Sequence, residues 1–513
     1  MDLILLPLVS FLAAAVTLAV RRRSRLISVL VLLVEAALLI RLGLALQSAE
    51  SVTLLLGGWD RGIAILFVGD QIGMTFASLI LALDLAVLLY TWRQELRPYF
   101  FMLLHLVVGT GLAMVFTKDL FNAYVILELL TLASFLLVGY ERRPREIWAS
   151  LRYLILCSLG MSLFLLGIAV VYYHTGTLSI PEIAARVAAS PDARWVPLAA
   201  SLLVSGVAVK AGILLFSLWL PAAHARAMPA VSALLSGVVI KMGVVELFRL
   251  SEIFPLELTL IVLGATTGLL AIVYAIQTYD LKRLLAFHTL SQIGYLLIGF
   301  GAGSEAARLG ALDYAVAHGL FKALLFLAAG EAARAIGSSS LRELVVRRDD
   351  IPRGARIALL IGVVGIVGLP PFAGFAAKSI LESGIHATIL HAAVGLISAG
   401  TVASFAKLLP LFRTRSSGRC CEWAHVAAYG WLGGAVLLFL PLSATVIPRS
   451  VLAATWRWPA FAESFGAILV GLGIHRLVQG RPLRLPMRLF RIEEGTMVIL
   501  GGFFLVYALM RLA

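Results

Sequence analysis

Lys210, Lys241, Lys322 and Lys378 each lie inside a long apolar stretch, and Glu128, His288 and His318 lie in further stretches of the same kind. A charged side chain at the centre of a helix in lipid costs about 2.5–3.5 kcal/mol on insertion scales, so charges retained there call for a use. These residue types share one chemistry, the binding and release of a proton. A lysine in a low-dielectric interior gives up its proton more readily, and an approaching carboxylate restores its hold. Movement of Glu128 relative to Lys210 would therefore load or unload the lysine. Imidazoles separated by waters can pass the proton on. His318 and Lys322 are four residues apart and share a helix face, with His288 in the preceding stretch. Such a row is what a pump or transporter requires.

Blander readings exist for some of these groups. Asp84, His105, Glu246, His391 and Lys407 fall closer to the ends of apolar stretches, where side chains snorkel to the interface. For Glu128 and Lys210, both mid-stretch, the rival reading is an ion pair that only holds two helices together. Prolines supply a second clue. Pro221 follows Lys210 in "LLFSLWLPAAH", and Pro370 and Pro371 precede Lys378 in "GIVGLPPFAGFAAKSIL". Each removes a backbone donor and interrupts the helical ladder. Two interrupted stretches, each with one lysine and five spans apart, suggest an inverted repeat with a broken helix in each half. An ordinary helix end before "AAHARAMP" remains the alternative for Pro221.

The elements that must position these groups follow from composition. Of 513 residues, 61% are apolar and 14% charged, with mean hydropathy +0.99. No water-soluble core hides that much apolar surface. Spans are expected near 2–20, 26–46, 70–91, 99–117, 120–139, 152–173, 197–219, 231–249, 256–276, 284–303, 309–329, 357–380, 387–411 and 426–446, with further candidates at 461–479 and 495–511. These last two could span the membrane or lie at its surface. The formal charge of +14 sits in short loops, which reads as topology signals and excludes nucleic acid as the partner. Threading from an outside N-terminus leaves eight basic residues outside, among them Arg61, Lys118, Arg249 and Arg449, and about 26 inside. That bias predicts both termini outside and puts His224 at a cytoplasmic turn. Cys157, Cys420 and Cys421 show no metal or disulfide spacing, so no metal or cofactor is expected. The basic cluster "RRRSR" follows the first apolar segment, the reverse of a cleaved signal, so that segment is read as a retained span.

Four blocks, "VKAGILLFSLWLPAAHARAMPAVSALLSGVVIKMG", "DLKRLLAFHTLSQIGYLLIG", "AHGLFKALLFLAAG" and "GLPPFAGFAAK", occur in order between about residues 70 and 410. In these the chain resembles the antiporter-like family shared by Mrp-type multisubunit cation/proton antiporters, the large membrane subunits of respiratory complex I and membrane-bound hydrogenases. "LLLGGWDRGIAILFVGDQIGMTFASLI" is most similar to the Mrp D branch. The resemblance implies an all-α polytopic membrane protein of about 14 core transmembrane helices, with an inverted five-helix repeat and broken helices 7 and 12. It divides the chain into helices 1–3 (1–98), a first repeat of helices 4–8 (99–250), a second of helices 9–13 (256–411), and a C-terminal part (412–513) that adds up to two segments to helix 14. It implies that protons move along Glu128, Lys210, Lys241, His288, His318, Lys322 and Lys378, with Lys407 and Glu246 as accessories and Pro221, Pro370 and Pro371 as helix breaks. The implied partners are other membrane subunits, the lipid bilayer and protons, with Na+ or K+ as further candidate ions, in a bacterial inner membrane. The function expected is that of a proton-translocating subunit of a multisubunit monovalent cation (Na+)/proton antiporter that does no chemistry of its own; the alternatives are the pump module of a redox-driven complex and a membrane scaffold that transports nothing.

Overall fold

In lipid no water satisfies backbone N–H and C=O groups, so apolar runs of this length must fold as helices that close their own hydrogen bonds. The computed structural model describes residues 1–59, 64–190, 193–413, 421–443, 456–479 and 492–512. Arg61, Arg449, Cys420 and the arginines at 415, 419, 481, 484, 488 and 491, on which the topology and cysteine readings drew, lie outside the described residues. The chain forms α1 (Asp2–Ala19), α2 (Ser24–Ala45), a hairpin of β1 (Val52–Leu56) and β2 (Ile65–Gly69), α3 (Gln71–Tyr90), α4 (Pro98–Phe116), α5 (Leu120–Val138), α6 (Pro144–Thr175), α7 (Ile180–Ala189), α8 (Trp195–Ala211), α9 (Leu220–Arg226), α10 (Pro229–Leu234) and α11 (Ile240–Ile253). It continues through α12 (Glu257–Gln277), α13 (Leu281–Gly301), α14 (Glu305–Ile336), α15 (Leu341–Val346), α16 (Arg353–Val367), α17 (Ala373–Ser383), α18 (Thr388–Phe405), α19 (Leu409–Phe412) and α20 (Trp423–Ser443). Two more helices, Trp458–Val478 and Ile492–Leu512, follow. Among the described residues, 13 helices are long and apolar enough to cross a membrane, and these last two segments are among them. The all-α polytopic fold is as the sequence leads one to expect. The β1–β2 hairpin, antiparallel with Val52 opposite Gly69, is a small addition in front of α3.

Two units repeat the same construction. In the first, Asp119 caps α5 by accepting from Asn122 N at 2.7 Å, and pairs across an isolated bridge with Ser179. In the second, Asp280 caps α13 by accepting from Arg283 N at 2.9 Å, and pairs with Ser340. Between each Asp and its Ser runs a helix of 32 residues, α6 or α14, ended by a left-handed glycine, Gly176 or Gly337. Five membrane crossings separate the two Asp caps, which places them at opposite ends of the bundle and inverts one unit against the other.

Each unit also contains one interrupted span. The first break runs from Gly212 to Trp219, between α8 and α9. Gly212 takes φ +84°, a conformation that L side chains rarely adopt. The carbonyls released at the end of α8 are covered from within the break. Ser217 Oγ donates to Ala208 O at 3.1 Å and Val209 O at 2.8 Å, and Trp219 Nε1 donates to Val209 O at 3.0 Å. Pro221 therefore does not break the helix. It occupies the first turn of α9, where its missing N–H would have had no partner within the helix. The second break lies between Val367 and Ala373 and does contain Pro370 and Pro371.

The buried centre of the bundle is α10 with α11, α13 and α14, all enclosed along their apolar lengths. Helix Trp458–Val478 lies at the periphery against α18, and Ile492–Leu512 against α6, α8 and α12. The former covers the second repeat, and the latter lies across α6 and α8 of the first and α12 of the second.

Candidate functional site

Lys210 sits in the last turn of α8, just before the break, where the helix's final carbonyls leave a negative partial charge that favours a cation. It is 2% exposed, and its Nζ donates to Leu127 O on α5 at 3.2 Å, a carbonyl that also accepts from Thr131 Oγ1 at 2.8 Å. Glu128, the next residue, is half-buried beside the exposed Val125 and Leu132. Among the described residues no carboxylate lies within 4.0 Å of Lys210 Nζ. The two are neighbours without a closed ion pair, so the reading of them as a mere clamp between helices has no bond to rest on.

Lys241 reaches the centre from α11. Gly243 lets α11 pass so close to α8 that a Cβ there would lie 2.7 Å from the Lys210 carbonyl carbon. One turn of π-helix, Leu235–Val239, precedes Lys241. Such turns shift the register of the ladder and recur at functional sites. Lys241 Nζ donates to the Ser236 carbonyl at 2.9 Å and meets His318 Nδ1 on α14. Four residues on, Lys322 Nζ donates to Leu285 O and stands 4.8 Å from the centre of the Phe326 ring. His288 Nε2 on α13 bonds Ser404 Oγ at 2.6 Å, and the adjacent Thr289 Oγ1 lies 3.0 Å from Ser236 Oγ. The sequence candidates of the centre thus lie on three touching helices.

Lys378 ends the row on α17, just after the second break. Its Nζ donates to Ile366 O at 3.1 Å and lies 5.5 Å from the Tyr295 ring and 5.8 Å from the Tyr314 ring. Both tyrosines were missed from sequence, as were Gln292 and Glu382. Tyr314 donates to Gln292 Oε1, Gln292 Nε2 donates to Thr401 Oγ1 at 3.0 Å, and Tyr295 donates to Glu382 Oε1. Spacing could have found two of them. Tyr314 precedes His318 by one helical turn, and Glu382 follows Lys378 by one turn.

The remaining candidates divide. Lys407 Nζ donates to Ala275 O, Ile276 O and Thr278 O at 2.6–3.0 Å, which is a cap on the C-terminus of α12. Glu246 does not snorkel. It is fully buried and 3.3 Å from Arg249, which also donates to Val115 O at 3.0 Å. Arg249 is 2% exposed, so it is a packed partner of Glu246 and α4 in addition to any role as a topology signal. Asp84 and His105 are likewise buried, His105 through Ser28 Oγ at 2.9 Å. Glu35, another buried acid that sequence reasoning missed, accepts from Ser10 Oγ. His391 stays partly exposed. His224 is not at an open turn. It is fully buried and stacked on Phe326 with ring centres 4.4 Å apart, on the ring that Lys322 also approaches.

Buried lysines, imidazoles, tyrosines and one amide, with Lys241 and His318 in direct contact and the others bonded to nearby hydroxyls and carbonyls, are groups that can hold and exchange protons. Comparison with known proteins agrees with this construction. The model of the family described as NADH:quinone oxidoreductase/Mrp antiporter, TM, matches residues 117–404. The D subunit of the Na+/H+ antiporter of Alkalihalophilus pseudofirmus is 29% identical over 378 residues, 71% of this chain and 76% of that protein. A chain of the membrane-bound sulfane sulfur reductase, an archaeal respiratory membrane complex, has the same fold with a TM-score of 0.79 and 21% identity, covering 92% of this chain and 98% of that one. A chain of the Mrp complex from Dietzia sp. aligns with a TM-score of 0.81 and 23% identity, over all of this chain and 60% of that one. At these identities the two structures speak for the fold alone. The family match spans more than half of the chain and contains the bonded groups from Lys210 to Lys378, and on that ground the chain belongs to the NADH:quinone oxidoreductase/Mrp antiporter transmembrane family.

Proposed function

We propose that this chain is the D-type, proton-translocating subunit of a multisubunit monovalent cation/proton antiporter in a bacterial inner membrane. The observation that carries the reading is the contact of Lys241 Nζ with His318 Nδ1 at the buried centre, between Lys210 at one broken helix and Lys378 at the other. Isolated cations would each be costly at such depth, and a path for protons gives their cost a function. In this reading Lys210 holds the proton of the first half, and the half-buried Glu128 at the edge of the bundle sets how firmly it is held. Lys241, His318, Lys322 and His288 pass the proton across the centre, and Lys378 holds it in the second half. The D subunit of an Na+/H+ antiporter, matched over 71% of this chain, favours antiport over a redox-driven pump. Neighbouring subunits complete the assembly, and the arginine distribution supports an outside location for both termini.

Lys210→Ala, in the assembled complex reconstituted with a pH-sensitive dye, tests this reading. Proton flux driven by an Na+ or K+ gradient should fall to background, while Arg413→Ala in the loop before α20 should leave it near the wild-type rate. Wild-type flux in the Lys210 variant would sink the reading.

A further inference from the structure

Helix Trp458–Val478 lies beyond the residues matched by the family model, yet it reaches the second broken helix. Ser464 Oγ donates at 2.7 Å to Gly368 O, a carbonyl inside the break. The adjacent Glu463 places Oε1 3.4 Å from His391 Nε2 on α18. His391 Nδ1 lies 3.2 Å from Ile385 O. A carbonyl only accepts, so Nδ1 carries the hydrogen and Nε2 is the nitrogen left to exchange a proton. A cavity of about 60 Å³ opens between these groups, and Lys378 and Glu382 of α17 also line it. A water needs about 10–15 Å³ by this measure and two or more polar partners, so the space suits a short water chain. Ser398 points to the same occupant. It is 6% exposed, it lines the cavity, and its Oγ has no hydrogen-bond partner among the described residues.

We propose that Glu463, His391 and Ser398 complete a water-filled proton station beside Lys378 and Glu382, making the helix Trp458–Val478 part of the ion path. The inference rests on reading the chain as a proton-translocating subunit. A proton leaving Lys378 moves to Glu382 or a cavity water, then to the Glu463 carboxylate and His391 Nε2. Each step transfers one proton from an acid to the next base, and no bond between heavy atoms changes. The titratable groups that face the cavity are Lys378, Glu382, His391 and Glu463, with Tyr295 of α13 holding Glu382.

Two variants test the station in vesicles that hold the assembled complex, with proton flux read by dye after an NaCl or KCl pulse. Glu463→Gln keeps the shape and removes the base. Ser398→Val fills the cavity with methyl groups and removes a buried hydroxyl that lacks a partner, a change that should leave the thermal midpoint level or raised. Flux is expected to fall about tenfold or more in both, and Glu463→Asp is expected to retain most of it. Wild-type flux in both variants overturns the proposal and leaves the functional reading intact, whereas a wild-type complex that moves no protons overturns that reading instead. Losses that merely follow a lower thermal midpoint or failed assembly in both variants make the helix a brace and also overturn the station. Loss with NaCl but not with KCl would make the cavity a sodium site and overturn the proton assignment.

Discussion

Lys241 Nζ abuts His318 Nδ1 between α11 and α14, and the same Nζ donates to the Ser236 carbonyl at 2.9 Å. While Lys241 is protonated, the imidazole nitrogen that faces it accepts, and His318 then carries its hydrogen on Nε2, which has no partner among the described residues. Of the two groups bonded to Lys241 Nζ, only His318 is a base that can take its proton, the other being a backbone carbonyl. Lys241→Met and His318→Ala should each lower dye-detected proton flux by about tenfold to a hundredfold, and the double variant should be no slower than the slower single one. Losses that multiply in the double variant would mean the two residues act on separate routes.

The lysines were legible in the sequence because a charge within an apolar run stands out, and the double proline before Lys378 was legible for the same kind of reason. The first break was not. Gly212 takes the left-handed turn, and the carbonyls of Ala208 and Val209 are closed by Ser217 and Trp219, side chains that read as ordinary span residues. Pro221 marks the wrong place, because in the first turn of α9 a proline is harmless. Tyr295 and Gln292 were hidden because their role depends on which face of α13 meets α14 and α18, and span tallies do not resolve faces. The burial of His224 was missed because loop counting puts α9 at a cytoplasmic turn, and the stacking on Phe326 comes from α14, far along the chain.

The first break should fail at its side-chain caps and tolerate loss of its proline. Trp219→Phe removes the Nε1 donor and leaves Val209 O with Ser217 Oγ alone, at a cost of about 0.5–1.5 kcal/mol for the lost hydrogen bond. Trp219 also packs on Tyr153 at 4.1 Å between ring centres, and phenylalanine preserves part of that contact. Pro221→Ala should change stability by less than about 1 kcal/mol, since proline is tolerated but not required at a helix start. Thermal melting of the purified complex measures both, and a larger loss for Pro221→Ala than for Trp219→Phe would put the break back at the proline.

Glu246 and Arg249 should behave as a buried pair on which α4 and α11 depend. Each is at most 2% exposed, and Arg249 also holds Val115 O on α4. Removing one partner strands the other charge, which typically costs about 3–5 kcal/mol, whereas replacing both with apolar residues of similar size is often neutral. Glu246→Leu and Arg249→Met should each abolish or sharply reduce assembled complex in membranes, and the double variant should recover it. A double variant as poorly assembled as the singles would show that the two charges have separate partners.

Lys407 separates a structural lysine from a proton-carrying one. All three Nζ hydrogens are committed to carbonyls at the end of α12, at 2.8, 3.0 and 2.6 Å, and its ammonium lies 5.1 Å from the Tyr279 ring centre. A lysine held this way stabilises the helix terminus that the dipole makes negative. Lys407→Met therefore removes a donor from each of three carbonyls, of which Ala275 O keeps a bond from Thr278 N, and the thermal midpoint of the complex should fall. Lys407→Arg should recover most of the loss, because guanidinium offers donors and a fixed charge that cannot be given up. The same substitution at a proton-carrying position would stop transport. Proton flux per assembled complex should therefore stay near wild type in Lys407→Arg and collapse in Lys241→Arg. Flux lost equally in both arginine variants would move Lys407 into the path as a carrier and remove it from the cap.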